Sequence, residues 1–202
     1  MKPRTYLSSE QTKQELAQAL KELMQEKSLE HITIRDLTER CHIRRQTFYY
    51  HFQDIYDLLC WTFQQEIFPL LQNCKGPKLW QDGLLQLFRY LDANRSICLC
   101  ALHSTGHVYL RRFFETEIDA LIHDTIEQIG HTTGALHLVS TEEDIAFMTQ
   151  FYKVAFAALL ESWLLGELHY TPEELVAFSD QMIQDHIRGA HFRAEHLRKE
   201  LN

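Results

Sequence analysis

Two groups of side chains in this 202-residue chain have the types and spacing to do chemistry. One is Cys98-x-Cys100-x-x-His103-x-x-x-His107, whose thiols and imidazoles are the donors that zinc or copper selects. Cys100 with His103, and His103 with His107, share a face if the segment is helical, but Ser104-Thr105-Gly106 interrupts the second pair. Cysteines set among Ile97 and Leu99 are more often small core hydrophobes, which is the favoured reading, with a zinc site as the alternative. The other group is Arg44, Arg45, Gln46, Thr47, Tyr49, Tyr50 and His51. Arg bonds bidentately to guanine, Gln bonds to adenine, and a Thr methyl meets the thymine methyl, while Tyr and His donors reach phosphate oxygens. Such a row suits the major groove of double-stranded DNA.

That row needs a helix to carry it and a second helix to hold it. Thr33 is a plausible cap for a short helix to about Arg40, with Asp36 in its first turn near the positive end of the dipole. Ile34, Leu37 and Cys41 form the expected buried stripe, leaving Arg35, Thr38 and Glu39 for water or a partner. The turn falls near Cys41-His42-Ile43, and a second helix is expected from about Arg44, pinned by Phe48 and Phe52 four residues apart. Arg44, Arg45 and Gln46 are assigned to base edges. Thr33, Arg35, Tyr49, Tyr50 and His51 are assigned to phosphates, and Thr47 lies within the same face.

The segment from His31 to Leu59, and above all Thr47-Phe48-Tyr49-Tyr50-His51-Phe52, resembles the helix-turn-helix of the TetR family of transcriptional regulators, AcrR-like proteins included. The longer run from Arg45 to Asp54 further resembles the dihydroxyacetone kinase regulator branch. Two positions depart from the family pattern. Cys41-His42 stands where Ala-Gly is usual, so His42 must take a conformation that glycine adopts without steric cost. Ile55 replaces the usual Lys, which removes one phosphate contact.

Charge is divided unevenly along the chain. Up to residue 60 there are nine Lys/Arg and nine Asp/Glu; the remainder holds eleven against nineteen, so the net charge of -8 lies in the later part. This argues against a general polyanion binder, but a local patch of Arg35, Arg44, Arg45, Lys2, Arg4 and Lys13 is still able to meet phosphates. Only 7 Gly and 4 Pro interrupt the chain and strand-like alternation is nearly absent, so the expected fold is all-α. Five cysteines without scaffold spacing fit a reducing compartment. The longest apolar run, Val154 to Leu160, is far short of the roughly 20 residues of a membrane span, and a cytoplasmic location without membrane attachment is expected.

The expected division is a DNA-binding domain over 1–54 and an effector-binding and dimerisation domain over 55–202. Ser8 or Ser9 is expected to cap a first helix to about Lys27, with Leu16, Leu20, Leu23 and Met24 inward. A fourth helix follows Asp54 until Pro69 kinks or ends it. Further helices are expected over about 79–91, 96–102, 108–129, 141–165 and 172–197. Between Phe151 and Leu165 the pattern is apolar nearly all round, so that helix must be covered on two sides. A second copy of the chain is the simplest cover, with Phe156, Leu160, Trp163, Met182 and Ile183 as candidate contacts. A dimer carries two recognition helices, hence a roughly palindromic target with half-sites about 34 Å apart.

The family resemblance also implies a small-molecule effector, whose pocket would draw on Tyr90, His103, Tyr109, Phe113, Phe147 and Phe151. Nothing in the chain names that effector, and no bound cofactor is expected. No nucleophile elbow, phosphate loop or His-Glu-x-x-His motif is present, so an enzyme is not expected. The sequence therefore leads to a ligand-responsive homodimeric regulator, with repression as the usual outcome in the resembling family. Activation of the dihydroxyacetone kinase regulator type, or a zinc response through Cys98 to His107, are the alternatives.

Overall fold

The computed structural model describes residues 8–72, 80–104 and 142–200 continuously, with single residues and pairs between 107 and 126. Every regular element among the described residues is helical. They form two compact units, and the helix Ile55–Gln72 contributes to both, since the division falls after Glu66.

The first unit starts with α1, Ser9–Glu26, which begins where Ser8 and Gln11 satisfy each other's backbone N–H groups in a capping box. Its inward face is the expected Leu16, Leu20, Leu23 and Met24, widened by Thr12, Ala17 and Ala19. A short turn of 3₁₀ helix at Leu29–His31 leads to α2, Ile34–Arg40, and α3, Arg45–His51. Next comes α4, Ile55–Gln72, whose start is capped by Asp54, its carboxylate accepting from the Asp57 N–H at 2.8 Å. Pro69 lies inside α4 rather than at its end, because a proline in the last turn removes only one ladder bond before the helix stops at Gln72.

Two further helices follow residues 73–79: α5, Trp80–Ala93, and α6, Arg95–Leu102. Although α6 is distant in sequence from α1, it packs on it and belongs to the first unit, burying Ile97, Cys98 and Ala101. The expected boundary after residue 54 concerned function; the structural division lies further along α4 and assigns the segment beginning at Asn94 to the N-terminal unit.

The second unit contains α5, the long α7, Glu142–Leu164, and α8, Pro172–Glu200. Between the last two, Gly166 takes φ 79°, a left-handed value open to glycine without a Cβ clash. Thr171 then caps α8: its Oγ1 accepts from the Glu174 N–H at 3.2 Å while Glu174 accepts from the Thr171 N–H at 2.8 Å. α5 lies against α8, where Arg89 meets Glu173 at 2.8 Å, and Phe88 meets Trp163 of α7 edge to face at 5.2 Å. The helix expected over 108–129 falls mostly outside the described residues, and the segment between it and the next expected helix wholly so. No described helix is long and apolar enough to cross a membrane.

Candidate nucleic-acid interface

The residues of α3 divide cleanly into anchor and face. Phe48 is fully buried, Phe52 nearly so, and Phe52 continues into Trp61 of α4 with ring centroids 5.7 Å apart. Burying these rings fixes α3 against the helices behind it and turns every other long side chain outward. Arg44, Arg45, Gln46, Tyr49 and Tyr50 are all exposed, Tyr50 to 81%, while Thr47 and His51 are half-buried. Arg44 sits one position before the helix in extended backbone, so its carbonyl accepts from Thr47 and Phe48 while its side chain leaves the helix end.

α2 holds that face in place through a network at its start. The Thr33 Oγ1 accepts from the Asp36 N–H at 3.2 Å, and the Asp36 carboxylate accepts from the Thr33 N–H at 2.7 Å and hydroxyl at 2.8 Å. The same carboxylate oxygen takes the Lys27 Nζ at 2.7 Å. The ammonium of Lys27, then the two Thr33 donors, hold the Asp36 carboxyl down to about 2. At the other end of α2, Arg40 reaches Glu22 and Glu26 of α1 at 3.5 and 2.9 Å. The sequence disclosed the Thr33 cap but not Lys27, whose role depends on a chain reversal between residues 27 and 36. Thr38 also differs from expectation: it is buried, with its hydroxyl donating to the Arg35 carbonyl at 3.1 Å, while Ile34 and Cys41 are only half-buried. A threonine satisfied by its own helix loses its need for water.

The turn bears out its unusual requirement. His42 is the residue with positive φ other than glycine among those described, at 53°, and is the position at which the family uses glycine. Cys41 beside it is half-buried; desolvation and the nearby carboxylates of Glu15 and Glu22 push its thiol up to about 11, so it is not a poised thiolate.

The expected phosphate patch is smaller than its formal charge. Arg35 is bound to Glu39 one turn later at 2.7 Å, and Lys13 to Glu10 at 2.7 Å, with Lys13 also 5.6 Å from the Trp61 ring centroid. The Arg35–Glu39 spacing of four was a readable signal for this pairing. Burial and the nearby Lys13 ammonium lower the pKa of His51, so its imidazole is neutral at pH 7. Lys2 and Arg4 lie outside the described residues. The cations left without a carboxylate partner among the described residues of this face are Arg44 and Arg45.

The Cys98 to His107 group divides between packed cysteines and exposed histidines. Cys98 is buried, with its thiol pushed up to about 12 by desolvation, and the Cys100 Sγ donates to the Lys27 carbonyl at 3.7 Å. His107 Nδ1 lies 3.1 Å from the Ser104 carbonyl, and His103 is exposed beside a cleft of about 310 Å³ lined by Met24, Lys27, Glu30, Ser96 and Cys100. Among the described residues no group of three or more His, Cys, Asp or Glu could hold a metal ion.

In the second unit, Leu160 and Trp163, expected as dimer contacts, are buried in the chain's own core. Trp163 is 3% exposed, packed on Phe88, with its indole N–H donating to the Tyr170 carbonyl at 2.8 Å. Phe156 and Ile183 are half-buried. Met182, exposed to 59%, does face outward, as do Phe147, Phe151 and Val154 on α7 and Phe178 on α8. Phe147 and Phe151 therefore stand on the surface instead of lining an enclosed pocket. Tyr90 is half-buried, His103 belongs to the first unit, and Tyr109 and Phe113 lie outside the described residues. On α7 the outward residues occupy the side opposite Ile145, Thr149 and Trp163, which face the core. Tyr152 pairs with His186, linking α7 to α8.

Residues 12–59 match the family model of bacterial regulatory proteins of the tetR family, and residues 78–185 match a model described as a transcriptional regulator C-terminal region. The HTH-type dhaKLM operon transcriptional activator DhaS of Lactococcus lactis is 39% identical over 84 residues, a match spanning 42% of this chain and 45% of that relative. A solved structure of a dihydroxyacetone kinase operon activator DhaS superposes with a TM-score of 0.68 at 26% identity, covering 88% of this chain and 96% of that one. A regulator from Pseudomonas aeruginosa PAO1 gives a TM-score of 0.67 at 15% identity over 93% of this chain and 96% of its own, a likeness of fold.

Proposed function

Because the chain belongs to the TetR family of transcriptional regulators and binds DNA through its N-terminal domain, we propose that it works as an effector-responsive homodimer on a roughly palindromic operator. The observation that carries the DNA-reading assignment is α3 itself: two buried phenylalanines behind, and in front the exposed donors of Arg44, Arg45, Gln46, Tyr49 and Tyr50. In this reading Arg44, Arg45 and Gln46 meet base edges and Tyr50 and His51 meet phosphates, while Glu39 withholds Arg35 from the backbone. Thr33 already gives its hydroxyl proton to Asp36, so its role is to hold α2.

The outward apolar side of α7, with Phe178 and Met182 of α8, supports a second copy as the partner. Two copies set two recognition helices about one helical turn (~34 Å) apart. An effector regulates such a dimer by preferring one of its two spacings, and it changes DNA affinity by at most its differential affinity for the two states.

The names of the two DhaS relatives favour activation as the sign of control, whereas repression is the commoner expectation for the family. Genome-wide footprinting of the chain with Arg45→Ala and Gln46→Ala variants tests the base assignment. Each variant should lose discrimination at a base pair, and retention of the same sites by both would overturn it. Transcript levels next to the bound sites, with and without the chain, give the sign of control.

A further inference from the structure

The two arginines of the reading face are not equivalent. Arg44 leaves the start of α3 with no described partner, whereas Arg45 and Tyr49, one turn apart, are in contact. The Arg45 Nη2 donates to the Tyr49 hydroxyl oxygen at a long 3.4 Å, and the guanidinium carbon lies 5.8 Å from the centre of the Tyr49 ring. That ring is itself held: it meets Phe48 edge to face at 5.7 Å and 88°, and Phe48 is fully buried. A chain of contacts thus runs from the core, through one aromatic ring to another, out to a guanidinium in water.

The chemistry of the partner matters. Arg35 donates its Nε–H to the Glu39 carboxylate, which offsets its charge and takes one of its donors. Tyr49 is neutral, takes one N–H of the Arg45 fork, and leaves the charge and the remaining donors for another acceptor. A long side chain restrained before binding loses less rotamer freedom when it docks. On the reading that Arg45 meets a base edge, we infer that Tyr49 is a positioning residue that aims the Arg45 guanidinium into the groove, rather than an independent phosphate contact.

The test uses duplexes that the full chain enriches from a randomised library, together with single-base-pair variants of them. Binding is measured by fluorescence anisotropy for the parent chain, Arg45→Ala, Tyr49→Leu, Tyr49→Phe and the double variants. Tyr49→Leu should weaken the enriched duplex by about threefold to tenfold, and should do so by flattening preference at the base pair that Arg45→Ala also makes indifferent. In the Arg45→Ala background the same change should alter affinity by no more than about twofold, the signature of coupled sites. Tyr49→Phe, which keeps the ring and its packing on Phe48, should restore part of the preference.

Equal weakening of every duplex by Tyr49→Leu, added in full to the effect of Arg45→Ala, would overturn positioning and leave base reading by Arg45 intact. Unchanged preference at every base pair in Arg45→Ala would overturn base reading, and positioning with it. If circular dichroism shows Tyr49→Leu unfolded, Tyr49→Phe decides: its loss of hydroxyl must reduce preference at the Arg45 base pair, and no reduction there overturns the inference.

Discussion

Two of the surfaces that expose aromatic side chains are of different kinds. On α3 the exposed rings are tyrosines beside Arg45, Gln46 and His51; on α7 and α8 they include Phe147, Phe151 and Phe178 beside Val154 and Met182. A tyrosine carries a polar handle and tolerates water on one side, whereas a phenylalanine exposed to 72%, as Phe147 is, gains only when water leaves. The contrast separates a surface that needs a polar, charged partner from one that needs an apolar partner. Acidic charge concentrated after residue 60 reinforces it, because the later part of the chain would repel a phosphate backbone.

The largest effect should come from removing the anchor that makes the first surface possible. Phe48→Ala leaves a cavity where a fully buried ring stood and should cost about 3–5 kcal/mol, read as a lower urea midpoint together with loss of operator binding. A variant that unfolds normally yet still binds would show that α3 is not held by its rear face. Next, a carboxylate in the second surface, Phe151→Glu or Met182→Glu, should weaken self-association by about 2 kcal/mol or more, as at an interface hot spot. Sedimentation equilibrium reads this as a shift toward monomer, with the melting of the N-terminal unit unaltered. An unchanged association constant in both variants would mean that the apolar face is not where copies meet.

A smaller effect belongs to the network at the start of α2. The Asp36 carboxyl lies at about 2, below its ordinary 3.8, with Lys27 as the main cause. A lowered folded-state value means the stabilisation is complete above 3.8 and is lost as pH falls through about 2. Lys27→Met should cost about 0.5–1 kcal/mol at neutral pH and shrink the acid-dependent part of the unfolding free energy; identical pH profiles would remove Lys27 from the account. The smallest effect is expected at Arg35. Glu39→Gln should release the guanidinium at little cost to the helix while steepening the dependence of DNA affinity on salt by about one counterion. A salt slope that stays the same would show that Arg35 never reaches a phosphate.

The first surface was far more legible in the sequence than the second. Phe48 and Phe52 at a spacing of four, the Thr33 cap and the polar row between them are all local signals, and each holds in the structure. Thr38 escaped because its hydroxyl is satisfied by a backbone carbonyl, which composition does not reveal. On α7 the reverse applies. A helix apolar nearly all round states that two sides are covered but not which residues face which side, so the pattern offers Leu160 and Trp163 as partner contacts although Phe88 of α5 covers Trp163. Likewise nothing local brings α6 to α1, or Cys100 to the Lys27 carbonyl, across 73 residues of sequence.

The left-handed turn at His42 has a practical consequence for anyone reshaping this protein. An ordinary residue held at φ 53° is a reserve of unspent stability. His42→Gly would recover about 1 kcal/mol of steric cost, less a few tenths returned to the flexibility of the unfolded chain, without altering a side chain of α3. That gain is a tolerance margin: a library that varies Arg44, Arg45 and Gln46 to redirect the regulator to a new operator would keep more folded members if built on the glycine background.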